Sequence, residues 1–220
     1  MEMILFVLIA IGAIILSVWF SRQRAKEWLE FSTRHGFNYF SKDTEDLPSR
    51  YSDFNLFNQG HSRKAYNVCT GANHGIQLCL FDYRYTTGSG KNQQTHYRTV
   101  LITDKRFLFQ PLDIRPENIF DKIGAAIGFD DIDFESAEFS RRFYVKSPDK
   151  KFAYDIIHPR MMEFLLETKN LTIEARGTEV LFHHGKQLKM AELEILIMEA
   201  EGFYKQIPDY MLKDNQISPQ

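Results

Sequence analysis

Four polar residues recur at matched spacing on two neighbouring strand candidates. Asp82 and Arg84 stand two apart, as do His96 and Arg98. Alternation puts every second residue of a strand on one face. Asp82 and Arg84 then follow Leu78 and Leu80, while His96 and Arg98 precede Val100 and Ile102. An even-sum pairing register would gather all four beyond the apolar patch. Asp and His in contact exchange protons, so such a cluster is a candidate ligand pocket or acid–base site. The favoured reading is a salt-bridged sheet end, the commoner meaning of paired charges there.

Asp130, Asp131, Asp133, Glu135 and Glu138 form an acidic stretch. Extended, it would align Asp131, Asp133 and Glu135 on one face, a set able to hold Ca²⁺ or Mg²⁺. The calcium-loop pattern fails, because its glycine is missing and its final Glu is misplaced. Arg141 and Arg142 follow closely, so internal pairing is the expectation. With Asp82, Arg84, His96 and Arg98 they complete the candidate ligand-binding residues. Gly88-Ser89-Gly90-Lys91 echoes a phosphate loop, but Tyr85 and Asn92 stand where Gly and Ser/Thr are needed. It also joins two strands rather than a strand and a helix. Neither the seven histidines nor the two cysteines have zinc spacing, and neither cysteine sits in a nucleophile signature. No metal or cofactor is expected.

The elements that position these residues form a meander. Residues 64–71 and 76–86 flank Asn73-His74-Gly75, a three-residue loop that sets Ala72 against Ile76 and Cys69 against Cys79. Tyr66, Val68, Ile76, Leu78 and Leu80 then share the core face. Residues 95–103 make the third strand, Asp104-Lys105 a turn, and 106–110 a fourth strand. A helix is expected from Pro116 to about residue 126. Residues 139–146 read as a strand, and Ser147-Pro148-Asp149 as the cap of a helix reaching about residue 156. Pro159 opens another helix. Residues 171–175 and 179–183 read as a hairpin about Gly177. Met190, Leu193, Leu196, Ile197 and Ala200 mark a long final helix. The order predicts an α+β fold: a mainly antiparallel sheet covered on one side and packed with several helices.

The 220 residues carry 27 Lys+Arg and 29 Asp+Glu, a net charge of -2, so no basic excess marks a nucleic-acid binder. The mean hydropathy of -0.34 hides an uneven distribution. Residues 3–20 contain no charge, and only Gly12 and Ser17 fall outside the hydrophobic set. As a helix this run spans about 27 Å, close to a bilayer core. It lacks the basic start and small-residue cleavage site of a signal peptide. Arg22, Arg24 and Lys26 follow it, and the positive-inside rule puts that side in the cytoplasm. The expected division is an anchor over 1–20, a juxtamembrane helix over 21–36 with Ala25, Trp28, Leu29 and Ser32 as its apolar stripe, one domain over 37–207, and a loose tail over 208–220. Reduced cysteines are expected in the cytoplasm; Cys69 and Cys79 paired would indicate the other side.

Two runs carry a resemblance: Phe81-Asp82-Tyr83-Arg84-Tyr85-Thr86-Thr87-Gly88-Ser89-Gly90-Lys91-Asn92, and Asp131-Ile132-Asp133-Phe134-Glu135-Ser136 followed by Glu138-Phe139-Ser140-Arg141-Arg142-Phe143. Over residues 26–166 the chain resembles a family of bacterial single-span membrane proteins. The resemblance implies bacterial origin and membrane attachment and brings no activity. The expectation is therefore a protein of the inner (plasma) membrane, held in the bilayer through residues 3–20. Its cytoplasmic domain would bind a ligand or protein partner. The alternative is a membrane-attached enzyme using Asp82, Arg84, His96 and Arg98.

Overall fold

The computed structural model describes residues 2–117, 132, 134–168 and 170–214. Helix α1, Glu2–His35, is one unbroken rod of 34 residues, about 51 Å long at ~1.5 Å per residue. No break separates its apolar half from its polar half. The helix stops at Gly36, whose φ of 69° lets the Phe37 N–H turn back to the Ser32 carbonyl, 2.8 Å away. Trp28, Phe31 and Ser32 are buried, while Leu29 is 49% exposed. The inward stripe therefore runs through Trp28, Phe31 and Ser32, and Leu29 falls outside it.

Among the described residues, six strands make one antiparallel sheet: β1 (Asn38–Lys42), β2 (His61–Asn73), β3 (Ile76–Thr87), β4 (Gln94–Pro116), β5 (Phe143–Lys146) and β6 (Thr172–His183). The order is β1-β2-β3-β4-β5, with β6 along the other edge of β4. This is the α+β architecture the sequence predicts. The turn between β2 and β3 has two residues rather than three. His74 and Gly75 both take positive φ, 47° and 77°, and Asn73 pairs with Ile76. That is the twist-matched hairpin turn, which needs positive φ at both positions. Farther along, Asn67 bulges out at φ 51°, so Tyr66 faces Asp82. The one-residue change puts Cys69 opposite Leu80, and Cys79 opposite Thr70. The two thiols thus point to opposite faces and cannot pair in any compartment.

Two more expectations change by the same logic. β4 has no turn at Asp104-Lys105; it continues through 23 residues and serves three partners. β6 is one strand, not a hairpin. Gly177, at φ 58°, sits inside it opposite Phe109, where the register slips. A glycine in the left-handed region accommodates a bulge as readily as a turn.

Both faces of the sheet are buried, not one. Cys69, Ile76, Leu78, Leu80, Leu101 and Phe182 lie on the face covered by α1 and the C-terminal helices. Val68, Phe81, Tyr83, Val100, Ile102 and Leu181 lie on the other. That second face is covered by the segment after β1: α2 (Leu47–Arg50) and a short 3-10 helix, Asn55–Asn58, bringing Leu47, Tyr51, Phe54, Leu56 and Phe57. By sequence alone these are anchors of a surface connection; in the fold they cap a second core. Val68 and Tyr66 accordingly do not share a face.

The remaining helices are α3 (Ala137–Arg142), α4 (Lys150–Ile156), α5 (Pro159–Glu167), α6 (Met190–Gln206) and α7 (Asp209–Asp214). Asp149 caps α4 as expected, accepting the Phe152 N–H at 2.9 Å. Leu193, Leu196, Ile197 and Ala200 of α6 are buried, as their spacing requires. The tail is not wholly loose: α7 buries Met211. The helix expected from Pro116 lies outside the described residues, except that Pro116 itself closes β4 against Phe143. Asp130, Asp131 and Asp133 also lie outside them.

Candidate functional site

The structure does not bring the four polar residues together. β3 and β4 pair with Asp82 opposite Thr99, Tyr83 opposite Arg98, and Tyr85 opposite His96. The residue-number sum is odd, so Asp82 and Arg84 face one way and His96 and Arg98 the other. The shared acid–base pocket expected of them is overturned. His96 and Arg98 instead flank Tyr85: the imidazole stacks on the phenol ring at 4.8 Å, and the guanidinium sits 5.7 Å above its centroid. Burial, helped by the Arg98 charge, lowers the pKa of His96. Arg84 is exposed.

Asp82 is fully buried, and its partner is a residue that by sequence reads only as a topology signal. Arg24 of α1 donates Nε to Oδ2 at 2.6 Å and Nη2 to Oδ1 at 2.7 Å. Asn67 Nδ2 donates to Oδ2 and Thr99 Oγ1 to Oδ1, both at 3.0 Å. Each carboxylate oxygen thus has two donors. Thr99 Oγ1 also accepts the Leu188 N–H at 2.9 Å, and Arg24 Nη2 reaches the Leu188 carbonyl at 3.0 Å. One carboxylate therefore ties together α1, β2, β3, β4 and the segment leading into α6. A saturated group with no exposed surface has no place for a substrate proton. Its chemistry is positional: a two-pronged guanidinium–carboxylate pair fixes orientation as well as distance.

Arg141 and Arg142 lie on α3, apart from this hub. Arg141 Nε donates to the Ala137 carbonyl at 3.1 Å, and Arg142 lies 3.8 Å from Glu138. The expected internal pairing with the acidic stretch thus holds for Glu138; Glu135 has no ion pair among the described residues.

A cavity of about 440 Å³ opens on the opposite sheet face. Val68, Cys79 and Ile102 contribute its floor, with Leu47 and Tyr51 of α2 beside them. Asp43, Glu45, Asp104 and Glu179 form its rim, with Lys42 and Arg50. Asp43 is used structurally, accepting the Leu47 N–H at 2.8 Å, and Arg50 pairs with Glu45. Burial pushes Glu179 up, with Arg50 opposing. Burial likewise pushes the Cys79 thiol up to about 12, so it stays a neutral thiol at pH 7 and is no nucleophile. An apolar floor under an acidic rim suits a ligand with an apolar body and a cationic or hydrogen-bond-donating end. Sequence reasoning picks out none of the rim residues. Asp43 and Glu45 lie in a turn-rich connection, and only the fold brings them beside Asp104 and Glu179.

No family model and no curated protein matches the sequence. A solved structure that shares the fold is the crystal structure of the mycobacterial trehalose monomycolate transport factor A, TtfA. It superposes at a TM-score of 0.61 with 14% identity, over 89% of this chain and 98% of that one.

Proposed function

We propose that the chain is a membrane-tethered binding module of a bacterial inner (plasma) membrane, with its domain on the cytoplasmic side serving a ligand or protein partner. One observation carries this reading. The apolar part of α1 is wholly uncovered by the domain, while the same helix is embedded in the domain's core a few residues later. Eighteen uncovered, uncharged residues in a row, sixteen of them hydrophobic, need a non-aqueous environment, and their length suits a bilayer. Arg22, Arg24 and Lys26 support the orientation. The cavity beneath Tyr51 offers the ligand position. The fold shared with a mycobacterial transport factor fits an accessory role beside a membrane process.

Fractionation tests the tether. The full chain should stay with membranes through alkaline carbonate, and a chain lacking residues 2–20 should be released. Full-length chain in the soluble fraction would refute the reading. Reporters fused after Gln220 test the side: a fluorescent protein should mature and alkaline phosphatase should stay inactive.

A further inference from the structure

We propose that the β2–β3–β4 end of the sheet is a second membrane contact, which binds the headgroups of anionic lipids. The inference rests on α1 being the bilayer anchor. Three contacts fix which end of the sheet lies nearest the apolar run. Arg24 meets Asp82. Farther along α1, Ser32 lies near enough to the Cys69 thiol to act on it, and Cys69 pairs with Leu80. Past the helix, the Phe37 ring packs on Gly71, which pairs with Leu78. Moving along the chain away from the apolar run is therefore moving from Asp82 back towards Leu78. Residues 83–87 of β3, with their partners at the start of β2 and β4, extend the other way, towards the bilayer.

The distances suffice. Arg24 lies four residues beyond Phe20, about 6 Å along the helix. Asp82 to Thr87 is about 17 Å of strand. Even inclined by about 60° to the helix axis, the strand end reaches the level where the apolar run stops.

Apart from Asp82, the charged residues that β2, β3, β4 and their connections contribute there are all basic. Between Asp53 and Asp104 the sequence contains a single acid, Asp82, and Arg24 neutralises it. The same stretch carries Arg63, Lys64, Arg84, Lys91 and Arg98. Arg63 is held by the carbonyls of Asn58, Gln59 and Gly60, and Arg98 by the Tyr97 carbonyl and the Tyr85 ring. All of these partners are neutral and leave the positive charge uncompensated. Among the described residues no carboxylate pairs with Lys64, Arg84 or Lys91. Tyr97, opposite Arg84, is 44% exposed, an aromatic with a polar tip suited to the interface. A whole-chain charge of -2 conceals this surface. Anionic headgroups are the complement it meets at that level.

The test uses the full chain in vesicles, with a nitroxide on S89C in a C79S background. In vesicles with one-third phosphatidylglycerol the label should be slowed relative to pure phosphatidylcholine, and 0.5 M NaCl should reverse the effect. Replacing Lys91 by Gln should lower the docked-to-undocked ratio about five-fold, and K64E/R84E/K91E should abolish docking. These residues are exposed, and an unchanged circular dichroism spectrum confirms that the fold survives. A label equally mobile in both vesicles, on a chain that still floats with them, overturns the proposal alone. A chain that does not float overturns the anchor reading instead. Slowing by a DNA duplex but not by anionic lipid would assign the surface to a soluble polyanion, and the proposal would fall.

Discussion

At the residue scale, two buried groups give opposite pH dependences. Glu174 accepts the backbone N–H groups of Asn55 and Leu56; burial and the nearby Asp113 push its pKa from 4.5 up to about 7. A raised pKa means its contribution is full below about pH 4.5 and is lost as pH rises through about 7. His183 accepts the Gly185 N–H on Nδ1 at 2.8 Å, which requires that nitrogen unprotonated. Burial, then Arg98 and His184, lower it from 6.5 to about 3. Its contribution is therefore present above about pH 6.5 and is lost as pH falls towards 3. Between pH 4.5 and 6.5 the two oppose each other, and single variants should separate them. H183N, which keeps an acceptor, should raise acid stability on the order of 2 kcal/mol in urea unfolding at pH 4. E174Q should flatten the decline from pH 4.5 to 7. Unchanged pH profiles in both would refute the assignments. The Arg24–Asp82 pair is the third residue-scale prediction. D82N should cost roughly 3 kcal/mol, since it strands a largely buried guanidinium. Pairing it with R24M should recover part of that loss, and strict additivity of the two would show that the side chains are not coupled.

At the scale of elements, periodicity was legible and parity was not. Helix α6 and the Asp149 cap are written in local spacing, so the sequence suffices for them. Register depends on whether a turn holds two residues or three, and the His74-Gly75 turn differs from a three-residue loop by one position. That position decides whether Cys69 faces Cys79 or Leu80, and the β3–β4 register, closed by the separate connection from Thr87 to Gln94, decides that His96 turns its back on Asp82. Gly177 shows the same ambiguity, for a hairpin and a bulged strand share one local signal. Its geometry makes a prediction: G177V, forced to φ 58°, should cost about 1–2 kcal/mol, while G177N should cost less because Asn tolerates that region. Equal losses in thermal unfolding would place the role of the glycine elsewhere. The Arg24–Asp82 hub was illegible for another reason. Its partners are 58 and 164 residues apart, and nothing local marks an arginine beside a membrane exit as destined for the interior.

At the scale of the molecule, the domain begins inside the first helix. Removing residues 2–20 takes away nothing buried, so the remainder should unfold with an unchanged midpoint. Removing residues 2–36 also takes Arg24, Trp28 and Phe31, and that chain should fail to fold cooperatively by circular dichroism. Equal stability of the two truncations would refute the shared core. The same helix sets an order in time. Arg24 is synthesised long before Asp82, Thr99 or Leu188, so it is a free cation while the apolar run is being inserted. Under the proposed topology it first helps to hold its side of the bilayer, and only when the chain is finished is it drawn into the core. One charge is thus used twice in succession. R24Q should consequently weaken both insertion fidelity and domain stability, two defects that D82N would separate by causing only the second.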